Sequence, residues 1–247
     1  MGAREDILRD LVIGNRILSN ENVVDAYGHI SARNPDAPDR FFLSWSLAPE
    51  FVETGDLIEF GPDGEVADGD ARPPYLERYI HAAIYEARPD VQAVVHAHAE
   101  DTLPFGISAT PLVPVIHSGA FIGGEVPVWD ISDEFGDETN MLVVNVDQGR
   151  SLARRLGDGP VALMRGHGFA AAAPSIIEVV RMAIYLPRNA RAQINGLRLG
   201  QIKPLAPGEI AARAGGANFR PTTPETWRAW RYWAERAGCG NRLPERP

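Results

Sequence analysis

Cysteine is almost absent from this 247-residue chain, which holds Cys239 alone. No intramolecular disulfide can form, and a reducing compartment is expected. Long apolar runs are also missing. No stretch approaches the roughly 18 residues that a spanning helix needs. The opening Met1-Gly2-Ala3-Arg4-Glu5-Asp6 carries acids where a secretory leader would carry a basic segment and an apolar run. A cytoplasmic protein without a membrane partner is therefore expected. Cationic charge is scarce too: 24 Lys and Arg stand against 33 Asp and Glu, a net charge of -9. Nucleic-acid binding requires clustered basic residues to neutralise phosphates, and none are clustered here, so no nucleic-acid partner is expected. What is present, 45% hydrophobic and 23% charged residues, suits one substantial globular core. No repeat or linker interrupts it. Residues 1–247 are read as a single domain, with 201–247 a C-terminal extension packing on the core or on a neighbouring subunit.

Apolar spacing predicts a helix over 5–18, from Ile7, Leu8, Leu11, Val12 and Leu18. Strands are expected over 27–34, over 41–44 and over 56–60, the last turning through Gly61-Pro62-Asp63-Gly64 into a further strand. Pro73-Pro74 opens an amphipathic helix on Leu76, Ile80, Ala83, Ile84 and Ala87, closed by Pro89. In it Glu77 and His81 are four apart and share a face. A strand over 90–98 follows, then short strands over 113–117 and 123–128 around a Gly-rich turn, and a short helix over 148–156. An apolar strand over 161–164 ends in Arg165-Gly166-His167-Gly168-Phe169. Ser175 with Glu178 forms a capping box for a helix reaching towards Gly200 and bent at Pro187. Trp227, Trp230, Trp233 and Ala234 share a stripe over 224–237, favouring a core face over a subunit contact.

Val94-Val95-His96-Ala97-His98 carries the chemistry. Strand alternation sends His96 and His98 to one face, where a divalent metal would explain two adjacent imidazoles. Two polar residues at an exposed strand end would give the same pattern. His167 lies between glycines, which leaves it open to approach by a metal or a substrate.

Taken in order, Glu77 with His81, then His96-Ala97-His98, then Arg165-Gly166-His167-Gly168 resemble the class II aldolase/adducin family. The resemblance spans roughly residues 7–200 and includes Gly28-His29-Ile30-Ser31 and the run from Arg88 to His98. It implies an α/β fold, a three-layer α/β/α sandwich with a mainly antiparallel central sheet, assembled as a homotetramer with sites near subunit boundaries. It further implies that His96, His98 and His167 bind a divalent metal ion and that Glu77 is the catalytic acid/base. Zinc, manganese and iron suit imidazole equally, and no organic cofactor is implied. Desolvation is expected to raise the Glu77 pKa.

Departures from the sugar-phosphate members point to a subfamily. Tyr75-Leu76 stands where those members carry Ser-Ser, His29 where they carry Asn, Ser46-Leu47 near their Thr-Gly, and Ser118 where the aldolases carry a tyrosine. A phosphate dianion needs several small donors, which these residues do not supply. Gly28-His29-Ile30-Ser31, the run from Leu43 to Glu50 and Tyr75-Leu76-Glu77-Arg78 are similar to the branch of hydroxypyridine-dicarboxylate and dihydroxyphthalate decarboxylases. What this resemblance implies is a lyase: a metal-dependent decarboxylase of a hydroxylated aromatic or heteroaromatic acid. His29, Ser46 and Arg78 would bind substrate, and His117 would be a second catalytic proton-transfer residue. Alternatives on the same fold are an aldolase or epimerase of a non-phosphorylated substrate, a non-haem iron oxygenase, and a non-catalytic adducin-like interaction domain.

Overall fold

In the computed structural model, which describes residues 2–214 and 223–244, the chain runs in the following order. It begins α1 (Ala3–Asn20), β1 (His29–Arg33), β2 (Phe41–Ser44), β3 (Leu57–Phe60), α2 (Arg78–Ala87) and β4 (Ala93–Ala97). There follow α3 (Leu103–Gly106), β5 (Val128–Trp129), α4 (Ser132–Phe135), α5 (Val146–Leu156), β6 (Val161–Met164) and β7 (Gly168–Ala173). It closes with α6 (Ile176–Leu199), α7 (Pro207–Ala214) and α8 (Pro224–Arg236).

Among the described residues the strands form one seven-stranded sheet in the order β3-β2-β1-β4-β7-β6-β5. Every neighbouring pair is antiparallel except β5 with β6. Alternation along β4 shows how the layers are built. Ala93, Val95 and Ala97 join Ile30 and Ala32 in a core under α1, α6 and α8, while Val94 joins Phe41, Leu43 and Ala172 in a core under α2 and α5. Two cores, one on each face of the sheet, make the three-layer α/β/α sandwich.

Capping explains α6, where Ser175 accepts the Glu178 amide. The helix continues through Pro187 to Leu199. Trp230 and Trp233 of α8 are buried in the core under α1 and α6, and residues 215–222 before that helix lie outside the described residues. Among the described residues no helix is long and apolar enough to cross a membrane.

The backbone departs from the sequence expectation in the segments between β4 and β6. Residues 113–116 are extended but join no sheet, because side chains of α6 take their amides and the Val113 carbonyl, and the chain turns into a 3-10 helix at His117. Asn189 Oδ1 accepts the Val115 and Ile116 amides (2.8 and 3.2 Å), its Nδ2 donates to the Val113 carbonyl (2.8 Å), and Gln193 Oε1 accepts the Val113 amide (3.0 Å). The expected strand over 123–128 shrinks to Val128–Trp129, since Pro127 has no N–H for a ladder. After the Gly61–Gly64 turn, only a bridge between Phe60 and Val66 pairs.

Candidate metal centre

Each residue of the centre is placed by a different element. His96 lies on β4, facing α2, and His98 follows just beyond the strand end. Glu77 is the N-cap of α2 rather than a residue inside it, and its side chain makes no capping bond. His167 sits in the turn between β6 and β7, closed by a bond from the His167 amide to the Met164 carbonyl (3.0 Å). Both glycines around it have backbone reasons. Gly166 has φ +63, and a Cβ on Gly168 would lie 2.2 Å from the Ala97 carbonyl oxygen. Gly168 therefore lets β7 close onto β4, which brings His167 to His98.

The four side chains converge. His96 Nε2 is 2.9 Å from His98 Nε2, and His98 Nε2 is 3.1 Å from His167 Nε2. Glu77 Oε2 is 3.3 Å from His96 Nε2 and 3.5 Å from His167 Nε2. The group offers four ligand atoms within 4.8 Å of one another. Ligands about 2.0–2.1 Å from one divalent ion stand roughly 2.9–3.4 Å apart, depending on coordination number. The donor set therefore fits such an ion.

Hydrogen bonding supports the same fit. His96 Nδ1–H donates to the Phe169 carbonyl (3.1 Å), so its Nε2 presents a lone pair to the group, as in a metal-bound histidine. Glu77 Oε1 accepts the buried Val143 amide (3.1 Å), which turns Oε2 towards the imidazoles. His167 Nδ1 is buried without a hydrogen-bond partner among the described residues. Burial and the neighbouring imidazoles of His96 and His167 push His98 down to about 4, keeping it neutral. For Glu77, burial pushes the carboxyl up, but the imidazoles of His96 and His167 outweigh it and hold the group below its ordinary range. The expected upward shift is thus reversed: one carboxylate and three imidazoles face one another, a donor set suited to a cation.

Beside the group lies a cavity of about 290 Å³ whose walls include His29, Ser46, Leu47, Tyr75, Leu76 and Leu142. Glu77, His98 and His167 open into it. No Lys or Arg lines it among the described residues. The Tyr75 hydroxyl donates to the Leu47 carbonyl, and its ring lies 4.5 Å from that of His29.

Two expected site residues are not brought here. Arg78 is turned to the 61–66 turn, donating to the Gly64 carbonyl (2.6 Å) and pairing with Glu65 (3.1 Å), because the helix start that points Glu77 inward points its neighbour outward. His117 is exposed at the start of a 3-10 turn and does not line the cavity. Sequence reasoning in turn missed Ser31 and Tyr85. Ser31 lies two residues from His29 on a strand and Tyr85 four from His81 on a helix, spacings that place each pair on one face.

The family model for the Class II Aldolase and Adducin N-terminal domain matches residues 9–194. The decarboxylase tropJ of Talaromyces stipitatus is 34% identical to this chain, with 94% of each covered. The 3,4-dihydroxyphthalate decarboxylase of Arthrobacter keyseri is 28% identical, covering 94% of this chain and 92% of that protein. Among solved structures, an aldolase II superfamily protein from Pseudomonas syringae superposes with a TM-score of 0.78 at 23% identity over 98% of both chains.

Proposed function

The chain belongs to the class II aldolase and adducin family, and on that premise we propose that it is a metal-dependent, organic-cofactor-free decarboxylase of a hydroxylated aromatic or heteroaromatic carboxylate. The observation that carries this is the convergence of Glu77, His96, His98 and His167 beside a cavity that Glu77, His98 and His167 enter and that is walled by Leu47, Tyr75, Leu76 and Leu142. Walls of leucine and tyrosine side chains suit an aromatic ring. Without Lys, Arg or a run of small donors, the cavity is a poor receptacle for a phosphate dianion. The near-full-length matches to proteins named decarboxylases support the lyase class.

His96, His98 and His167 would hold the divalent ion, zinc, manganese or iron. Such an ion would supply Lewis-acid stabilisation of negative charge on the substrate's ring oxygen. Glu77, held ionised, accepts the proton of the ring hydroxyl and returns it to the ring carbon as the bond to the carboxylate breaks and CO2 departs. The electron pair of that bond forms the new C–H bond, and a solvent proton restores the hydroxyl. His29 and Ser46 bind the polar groups of the substrate from the cavity wall. His117, which lies outside this cavity, would take part only if a neighbouring copy presented it in the homotetramer that the family resemblance implies. We further propose a cytoplasmic enzyme in which residues 1–247 act as one domain.

A panel of ortho-hydroxy aromatic mono- and dicarboxylates, incubated with the manganese- or zinc-loaded protein, tests the substrate class by CO2 release. Turnover of sugar phosphates and none of the panel would count against it.

A further inference from the structure

Next to the candidate metal centre, where the His29 ring lies 5.2 Å from that of His96, a chain of buried polar side chains runs between the sheet and α2. His29 Nδ1 is 2.6 Å from His81 Nε2, His81 Nδ1 is 2.6 Å from Ser31 Oγ, and Ser31 Oγ is 2.8 Å from the Tyr85 hydroxyl. All four residues are buried, and they are placed by register. His29 and Ser31 alternate on β1 towards α2, while His81 and Tyr85 are one turn apart on that helix. The outer end opens to the cavity through His29; the inner end is closed at Tyr85.

Proton bookkeeping gives this chain one direction. His29 Nδ1 and His81 Nε2 are 2.6 Å apart, so their contact holds a single proton. Among the described residues the only acceptor in reach of the Tyr85 hydroxyl proton is Ser31 Oγ, because the Val94 amide that also faces the phenol oxygen is a donor. A buried hydroxyl proton left without an acceptor costs its full desolvation penalty. Tyr85 therefore donates to Ser31, Ser31 donates to His81 Nδ1, and His81 Nε2–H donates to His29 Nδ1. The proton of His29 is left on Nε2, which has no hydrogen-bond partner among the described residues.

We propose that the Tyr85–Ser31–His81 chain locks His29 in the neutral Nε2–H tautomer and so builds a fixed hydrogen-bond donor into the cavity wall, aimed at an anionic oxygen of the substrate. Tyr85, Ser31 and His81 are positioning residues, and His29 is the group that meets substrate. This donor complements the acceptor-only Glu77 in the same cavity: one takes a proton-bearing oxygen, the other a carboxylate or ring oxyanion. Its role towards substrate rests on the decarboxylase reading above. Its tautomer does not.

Long-range 1H–15N correlation spectra of the zinc-loaded protein report directly which ring nitrogen of each histidine carries the proton. The chain has six histidines, assignable by single substitution. His29 and His81 are each expected with the proton on Nε2 and a bare Nδ1; a proton on Nδ1 of His29, or on both its nitrogens, overturns the proposal. Two variants separate positioning from simple packing. His81→Gln can still donate an amide N–H to His29 Nδ1 and is expected to retain the tautomer and most of kcat/KM. His81→Leu cannot, and is expected to mix the His29 tautomers and lower kcat/KM about tenfold, the effect of one misdirected hydrogen bond to a charged group, at unchanged metal content. A pure Nε2–H tautomer at His29 in folded His81→Leu also overturns the proposal. If the panel of aromatic acids releases no CO2 while His29 holds its Nε2–H, the decarboxylase reading fails and the tautomer lock stands.

Discussion

Glu77 and His81 lie four residues apart, yet burial acts on them with different outcomes. At Glu77 two imidazoles outweigh burial and the carboxylate stays ionised. At His81 burial and the neighbouring His96 act together, pushing the imidazole down to about 3. The linkage sign follows: the unfolded chain binds a proton at His81 near its ordinary value of 6.5, whereas the folded protein does not. His81 thus costs no stability above pH 6.5 and destabilises progressively as the pH falls from there towards 3, by at most about 1.4 kcal/mol per pH unit. Urea midpoints of metal-free wild type should fall more steeply across that window than those of metal-free His81→Gln. Equal slopes would show that His81 is not held neutral.

At the scale of elements, the turns and extended segments around the sheet are what bring the site together. Gly168 allows the close approach of β7 to β4, so Gly168→Ala should destabilise by about 2–4 kcal/mol and reduce bound metal, as read by denaturant midpoint and metal analysis. Asn189 replaces a neighbouring strand for residues 113–116. Asn189→Ala would strand two amides and a carbonyl and should cost about 2–4 kcal/mol by the same denaturant measurement, with the metal retained. These elements also mark where the sequence was hardest to interpret. The helices α1 and α6 and the strand β4 announce themselves by period and cap, but the four alanines of β7 have no pattern and favour helix intrinsically. The 113–117 segment has the alternation of a strand, and nothing local reveals that side amides from α6 occupy its backbone. The site was more legible. Spacing of two puts His96 and His98 on one face, and the family resemblance added Glu77 and His167. Arg78 and His117 depend on where a helix start and a loop point, which periodicity does not encode.

For the whole molecule, the sandwich holds the candidate metal centre and the polar chain on one face of the sheet and the core of α1, α6 and α8 on the other. The C-terminal helix belongs to the second face: Trp230 is fully buried there, so Trp230→Ala should destabilise by about 3–5 kcal/mol without altering the metal ligands, measured by thermal unfolding alongside metal content. A surface role for α8 would leave the midpoint unchanged. Stability and chemistry are thereby separable, because the carboxylate and imidazoles that face the cavity are anchored by β4, the β6–β7 turn and the start of α2. The central claim is that Glu77 and a divalent ion held by the three histidines together decarboxylate a hydroxylated aromatic acid. The most direct measurement is CO2 release from an accepted ortho-hydroxy aromatic carboxylate by wild type, by the chelated protein and by Glu77→Gln, each with its metal content determined. The account predicts release by wild type, loss on chelation with recovery on adding manganese or zinc, and a rate about 100-fold or more lower in metal-replete Glu77→Gln. Release that survives chelation, or a metal-replete Glu77→Gln as fast as wild type, would contradict it.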